Sequence, residues 1–276
     1  MKMDKYIEKI FSAIYKRISV RNFEAGIIRK KDLEMLEDFI KSIRVPFTDT
    51  VDIILFNSQE IASPFLINTT YSYASFSSFE SITDIAKTGF IGELFILYCE
   101  SIGISSCWIG IFKSKEAYSN LIKKKGSDYG KKIYALAALG YSSGRKGFLG
   151  TVTQKLYSSN KKSFLQNLSK DSLKEFPEFI KKALEAASKA PSARNKQCWN
   201  FEVLKDNNAY IVKIFKNPNK SAWGWKYPDL DAGIAASHFW ASLVNEKIST
   251  SLNLMEKDNT VIWEFKIGEL KNIGAT

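Results

Sequence analysis

The chain carries an internal repeat, and that repeat constrains its fold more tightly than any single motif. Around Gly89, the run Asp84-Ile85-Ala86-Lys87-Thr88-Gly89-Phe90 continues through Leu94, Leu97 and Tyr98 to Ile102-Gly103-Ile104-Ser105-Ser106. Around Gly233, Asp229-Leu230-Asp231-Ala232-Gly233-Ile234 continues through Phe239, Leu243 and Val244 to Lys247-Ile248-Ser249-Thr250. Both glycines stand the same distance before an Ile-Ser pair, so a helix of like length feeds a like strand in each half. The neighbours follow in the same order. A helix carrying Leu33, Leu36, Phe39, Ile40 and Ile43 precedes the strand Val51-Asp52-Ile53-Ile54-Leu55-Phe56. In the second half, Leu173, Phe176, Phe179, Ile180, Ala183, Leu184 and Ala187 mark a helix ending at Ala190, before the strand Phe201-Glu202-Val203-Leu204. Each half closes on an apolar strand ending in glycine, Ile133 to Gly140 and Val261 to Gly268. This order predicts an α+β fold of two pseudo-symmetric halves, 1–156 and 157–276, each a mainly antiparallel sheet flanked by helices. Neither half buries its sheet alone, so the two are expected to form one pseudo-dimeric unit.

Composition narrows the class. With 276 residues and 45% hydrophobic content the chain has material for a large core. The longest apolar stretch, Phe90 to Phe112, is interrupted by Glu93, Glu100 and glycines, which is too polar for a membrane span. Near the start, Ile7, Ile10, Phe11 and Ile14 recur at helical spacing between charged residues, the pattern of an amphipathic helix in a cytoplasmic protein. Cys99, Cys107 and Cys198 form no CxxC pair and read as reduced, buried thiols. The single histidine, His238, is expected to be a satisfied, partly buried helix residue, and one histidine supplies neither a zinc site nor a Ser/His/Asp triad. The net charge of +11 is spread along the chain without interleaved aromatics, which argues against nucleic-acid binding and for steering of small anions.

Two segments stand out chemically. Pro191-Ser192-Ala193-Arg194-Asn195-Lys196-Gln197-Cys198-Trp199 links the amphipathic helix to an aromatic strand through a tight polar turn. Taken alone it also fits a plain helix stop. Arg17-Ile18-Ser19-Val20-Arg21 follows the first helix, where two arginines also suit an ordinary basic helix terminus.

Together these motifs resemble the nitroreductase family of flavoproteins. Arg17-Ile18-Ser19-Val20-Arg21 is similar to its phosphate-gripping Arg-x-Ser-x-Arg/Lys motif, and Pro191 to Trp199 to its Pro-Ser-Ser/Ala-x-Asn-x-Gln-Pro-Trp turn, with Cys198 in place of the usual Pro. Gly103-Ile104-Ser105-Ser106-Cys107-Trp108-Ile109-Gly110 resembles the segment beside the flavin ring, and Leu139-Gly140-Tyr141 followed by Arg145 and Lys146 resembles the turn closing over the phosphate. The first half's counterpart of the polar turn is degenerate, Arg44-Val45-Pro46-Phe47, and the second half opens with a weakened phosphate motif, Lys161 to Gln166. The pattern is similar to the fused, two-repeat branch described as putative TM nitroreductases, in which one polypeptide mimics the family's dimer.

The resemblance implies one FMN per chain and NAD(P)H as electron donor, with a quinone, nitroaromatic or flavin reduced by a ping-pong hydride shuttle. It implies no metal and no catalytic side chain, because the flavin carries the chemistry. Arg17, Arg145 and Lys146 would neutralise the phosphate, Ser19 would donate to it, and Arg21 would reach the ribityl chain or the N1/O2 edge. Ile109 and Gly110 would pass beside N5, with Trp108 either at the flavin or in the core. Ser192, Ala193, Arg194 and Asn195 would contact the ring from the other half, and Gln197 would join them or brace the turn with Trp199. Tyr71 to Phe79, Trp223 and Trp225 suit either an acceptor pocket or packing. A flavin-storing protein without turnover and a basic interaction module without flavin are the alternatives. A monomer is expected, with further dimerisation open.

Overall fold

A computed structural model describes residues 3–58, 68–110, 130–144, 175–207, 209–220 and 222–268. The expected junction near Tyr157 and the site residues Arg145 and Lys146 lie outside them. The helix α1 (Asp4–Lys16) is amphipathic as its spacing predicts, burying Met3, Ile7, Ile10, Ala13 and Ile14. The strand β1 (Asn22–Gly26) follows, then α2 (Lys30–Ser42), β2 (Asp52–Asn57), β3 (Asn68–Thr70) and β4 (Ser72–Ser78). The long α3 (Ile82–Ser101) leads to β5 (Ser105–Ile109) and β6 (Lys132–Gly140). Among the described residues of the second half, α4 (Glu178–Ser188) precedes β7 (Trp199–Asp206) and β8 (Ala209–Lys216). There α5 (Pro228–Asn245) leads to β9 (Thr250–Lys257) and β10 (Thr260–Gly268).

Two four-stranded antiparallel sheets result, ordered β2-β4-β6-β5 and β7-β8-β10-β9. In each, the strand after the amphipathic helix, β2 or β7, lies at one edge and the strand after the long helix, β5 or β9, at the other. The fold is thus α+β with antiparallel sheets as expected, and a small two-stranded pair, β1–β3, is parallel.

Local chemistry sets the ends of the central helices. Ser81 caps α3 by accepting the Asp84 N–H at 3.0 Å. At its far end Gly103 takes φ +83°, which lets the Ile104 N–H turn back to the Cys99 carbonyl at 2.9 Å. Pro228 opens α5, where its missing N–H costs nothing. The β9–β10 hairpin turns on Asp258 and Asn259, both with positive φ, the backbone twist such tight hairpins need.

Both α3 and α5 are buried almost all round, because each lies between its own sheet and the other helix. They touch at the two repeat glycines. A Cβ on Gly89 would stand 2.0 Å from the Leu230 carbonyl oxygen, and one on Gly233 would stand 2.1 Å from that of Ala86. The contact is reciprocal: Leu230 precedes Gly233 as Ala86 precedes Gly89. One apolar core runs through it, joining Leu36, Phe90 and Phe95 to Leu184, Phe239 and Phe265. A smaller cluster of Val20, Phe23, Phe56, Tyr73, Cys107, Ile109, Leu136 and Ala138 covers the outer face of the first sheet.

Gly89→Ala and Gly233→Ala are each expected to lower stability by about 3 kcal/mol or more, overcoming the helix propensity that alanine gains. Urea unfolding monitored by circular dichroism measures this, and midpoints equal to that of the parent would refute the close backbone contact.

Candidate functional site

The first half brings three of its motifs side by side at one end of its sheet. At Arg17 α1 ends, its N–H closing on the Ala13 carbonyl at 2.8 Å, and the chain leaves extended. Ser19 then bridges Ser106 in parallel, and the Val20 N–H donates to the Ser106 carbonyl at 2.9 Å. Phe23 bridges Ser142, the Glu24 N–H donates to the Tyr141 carbonyl at 2.8 Å, and Ser105 pairs with Gly140. Residues 17–22, 105–110 and 139–144 therefore adjoin. Gly140 is small by necessity, since a Cβ there would lie 2.9 Å from the Phe23 ring. Tyr141 donates to the Asp32 carboxylate and accepts the Arg29 N–H at 3.2 Å, beneath the Arg29 guanidinium.

Arg17 turns inward. Its side chain is 7% exposed, with Nε 3.6 Å from Oε1 of the fully buried Glu93. The other carboxylate oxygen of Glu93 accepts the Trp108 indole N–H at 2.7 Å. From the second half, His238 Nε2 lies 3.0 Å from Glu93 Oε1, and its Nδ1 lies 3.0 Å from the Ala186 carbonyl. A carbonyl only accepts, so Nδ1 carries a proton. His238 is satisfied as expected, but it is fully rather than partly buried, because the helix crossing encloses it. Trp108 lies on the core side of β5, 4.6 Å from Phe76, so the structure favours its packing role. Arg17 Nη1 and Ser106 Oγ are buried without a partner.

The polar turn of the second half is held under strain. After α4 the chain forms a 3-10 turn, Ala193–Asn195, in which Arg194 and Asn195 have φ 52°, followed by Gln197 at φ 48°. Left-handed backbone at such residues costs on the order of 1 kcal/mol each. Hydrogen bonds offset it: Ser192 Oγ accepts the Gln197 N–H at 2.8 Å, and Gln197 Nε2 donates to the Ser188 carbonyl at 2.8 Å. Gln197 thus braces the turn, while its Oε1 has no partner. The Ala193 N–H donates to both carboxyl oxygens of Asp231 in α5, at 3.3 and 3.2 Å. Arg194 lies 5.0 Å over the ring of Trp223, which is 80% exposed.

The two halves meet at Gly110. The Trp225 indole lies so close that a Cβ on Gly110 would be 2.5 Å from its Cζ3. Trp225 meets Tyr227 edge to face, and Tyr227 meets Tyr134 of the first sheet likewise. The loop carrying these aromatics spans residues 217–227, whereas its counterpart between β4 and α3 is only residues 79–81. At the equivalent turn of the first half, Phe47 packs between Phe90 and Trp263 at 5.2 and 5.6 Å, so apolar rings stand where the other turn is polar.

Burial pushes the Asp231 carboxyl up to about 8, against the opposing pull of the Ala193 N–H and the Trp225 indole. The indole N–H faces this carboxyl but falls short of hydrogen-bond geometry. Burial also raises the thiols of Cys99, Cys107 and Cys198, which makes them poor nucleophiles. Among the described residues no group of His, Cys, Asp or Glu is placed to hold a metal. Sequence reasoning passed over Glu93 and Asp231 as site-shaping groups. Glu93 had a signal, an acid set in the apolar run from Phe90 to Cys99, a position that demands partners, whereas Asp231 beside Asp229 had none.

In its protonated form Asp231 contributes stability that is fully present below its ordinary value of 3.8 and is lost as pH rises through about 8. The stability of Asp231→Asn relative to the parent should therefore rise by about 4–5 kcal/mol between pH 4.5 and 8.5. Urea titrations at both pH values would detect this, and a constant difference would refute it. Glu93→Leu, which strands Arg17 in the interior, should cost about 3–5 kcal/mol in the same assay.

Comparison with known proteins agrees with this architecture. A putative nitroreductase from Thermotoga maritima superposes with a TM-score of 0.57 at 22% identity, over 92% of each chain. An FMN-dependent nitroreductase from Clostridium difficile aligns with 49% of this chain and 88% of its own, at 16% identity and a TM-score of 0.38. No curated protein matches. The family model described as Putative TM nitroreductase matches residues 9–243. A nitroreductase fold and a family match over most of its length place this chain in the Putative TM nitroreductase family.

Proposed function

We propose that the chain is an FMN-dependent NAD(P)H oxidoreductase that reduces quinone, nitroaromatic or flavin acceptors, with one FMN held across the seam of a pseudo-dimer. Family membership supports a flavin-dependent oxidoreductase in general. The observation carrying the finer reading is that residues 17–22, 105–110 and 139–144 adjoin in one half, that Trp225 of the other half reaches Gly110, and that the 191–197 turn is tied to Asp231 in the helix following the Trp225 loop. The residues fit such a ligand. Buried polar atoms without partners occur in the motifs of both halves, Arg17 Nη1 and Ser106 Oγ in the first and Gln197 Oε1 in the second, and Gly110 already accepts a flat ring.

Arg17, Ser19 and Arg21, joined by Arg145 and Lys146, would hold the phosphate and ribityl chain. Glu93 engages Arg17 through Nε, which leaves its Nη side for an anion. Ile109 and Gly110 would line one edge of the ring, with Trp108 supporting them from the core, and Ser192, Ala193, Arg194, Asn195 and Gln197 would line the other. When bound, FMN supplies the hydride chemistry, serving NAD(P)H and the acceptor in turn. The halves 1–156 and 157–276 act together, as a monomer that mimics a dimer and can pair further. No nucleic-acid or membrane partner is needed. A cytoplasmic setting suits the three free, buried thiols.

A non-catalytic flavin carrier is the second reading, favoured by the indole that covers Gly110. Reconstitution separates the possibilities. The purified chain should bind one FMN per polypeptide by absorbance and oxidise NADH or NADPH with menadione or a nitroarene as acceptor. Bound FMN that neither nucleotide bleaches would favour the carrier, and failure to bind FMN would overturn both readings.

A further inference from the structure

We propose that Asp231 is the positioning residue of this site, its buried carboxyl group holding the 191–197 turn in place beside the Trp225 loop, which reaches Gly110 of the other half. The geometry is specific. Asp231 is 2% exposed on α5, directly behind the turn, and both of its oxygens receive the Ala193 N–H at 3.3 and 3.2 Å. The Trp225 indole N–H, buried and without another partner, faces the same carboxyl. Cys198, at the start of β7, is the neighbouring titratable group. Three left-handed residues lie within five positions of Ala193, so the turn would relax if its first anchor were lost. A carboxyl buried in the first turn of α5 is costly even at a helix N-terminus, and the raised value of about 8 reflects the cost of that burial. Its neighbour Asp229 is engaged elsewhere, accepting from Lys216 Nζ at 2.9 Å and from the Val261 N–H at 3.0 Å, so Asp231 alone of the two faces the turn.

The ligand arm of the test rests on the FMN reading above; the exchange arm does not. Amide hydrogen exchange in the full chain is compared for the parent, Asp231→Leu and Asp231→Asn, together with FMN binding followed by flavin fluorescence. Asp231→Leu removes the acceptor and should speed exchange at Ala193 about tenfold, leave α4 and β7 protected, and weaken FMN binding about tenfold. Asn keeps one acceptor oxygen, so Asp231→Asn should restore both. Unchanged exchange at Ala193 in Asp231→Leu would overturn the proposal. So would a loss of protection spread evenly over α4, α5 and β7, which is the mark of a merely structural role. If the parent takes up no FMN, the cofactor reading fails, and exchange at Ala193 still decides the role of Asp231.

Discussion

The reciprocal seating of Gly89 on the backbone of α5 and of Gly233 on that of α3 is the contact on which everything else depends. Helices so close leave no room for side chains at the crossing, so their flanking residues interdigitate and a single core spans both halves. The distance between the two sheets follows from this contact. So does the position of Gly110, at the end of β5, relative to Trp225, just before α5.

The same crossing explains why charge is buried where it is. Glu93 lies one turn beyond Gly89 and His238 a little more than one turn beyond Gly233, so the glycine contact carries them into reach of each other. Burying a lone carboxylate would be prohibitive, and here Arg17, His238 and Trp108 share its oxygens. Arg17 is also the first residue of the segment that runs beside β5, and His238 is anchored to the Ala186 carbonyl of α4. The Arg17 segment and the helix that ends at the polar turn are thus linked by a continuous chain of contacts, Arg17–Glu93–His238–Ala186.

The halves share an order of strands but not a surface. Where the second half has a polar turn braced by Gln197 and tied to Asp231, the first has Phe47 between Phe90 and Trp263. Where the second has the long loop with Trp223 and Trp225, the first has only residues 79–81. Two like scaffolds thus carry one elaborated end and one that is filled with aromatic rings, which gives the proposed stoichiometry of one ligand per chain its physical basis.

Much of this was legible from residue order, because helical and strand periodicities are local and survive without knowledge of partners. Gly89 and Gly233 at matched distances from Ile-Ser pairs announced two like helices feeding two like strands, and Pro191 with its polar successors announced the turn. A bracing role for Gln197 was one of the two that the resemblance implied, and its hydrogen bond to the Ser188 carbonyl fits it. What the sequence could not specify was direction. That Arg17 faces inward to Glu93, that Trp108 lies on the core side of β5, and that Trp225 reaches Gly110 are consequences of long-range packing. Asp231 reads as one acid among many until the fold buries it and places the Ala193 amide in front of it. The sequence by itself determined the elements, their order and the family. Only the tertiary structure decided which polar groups share a buried space, because desolvation and pairing depend on neighbours that are distant along the chain.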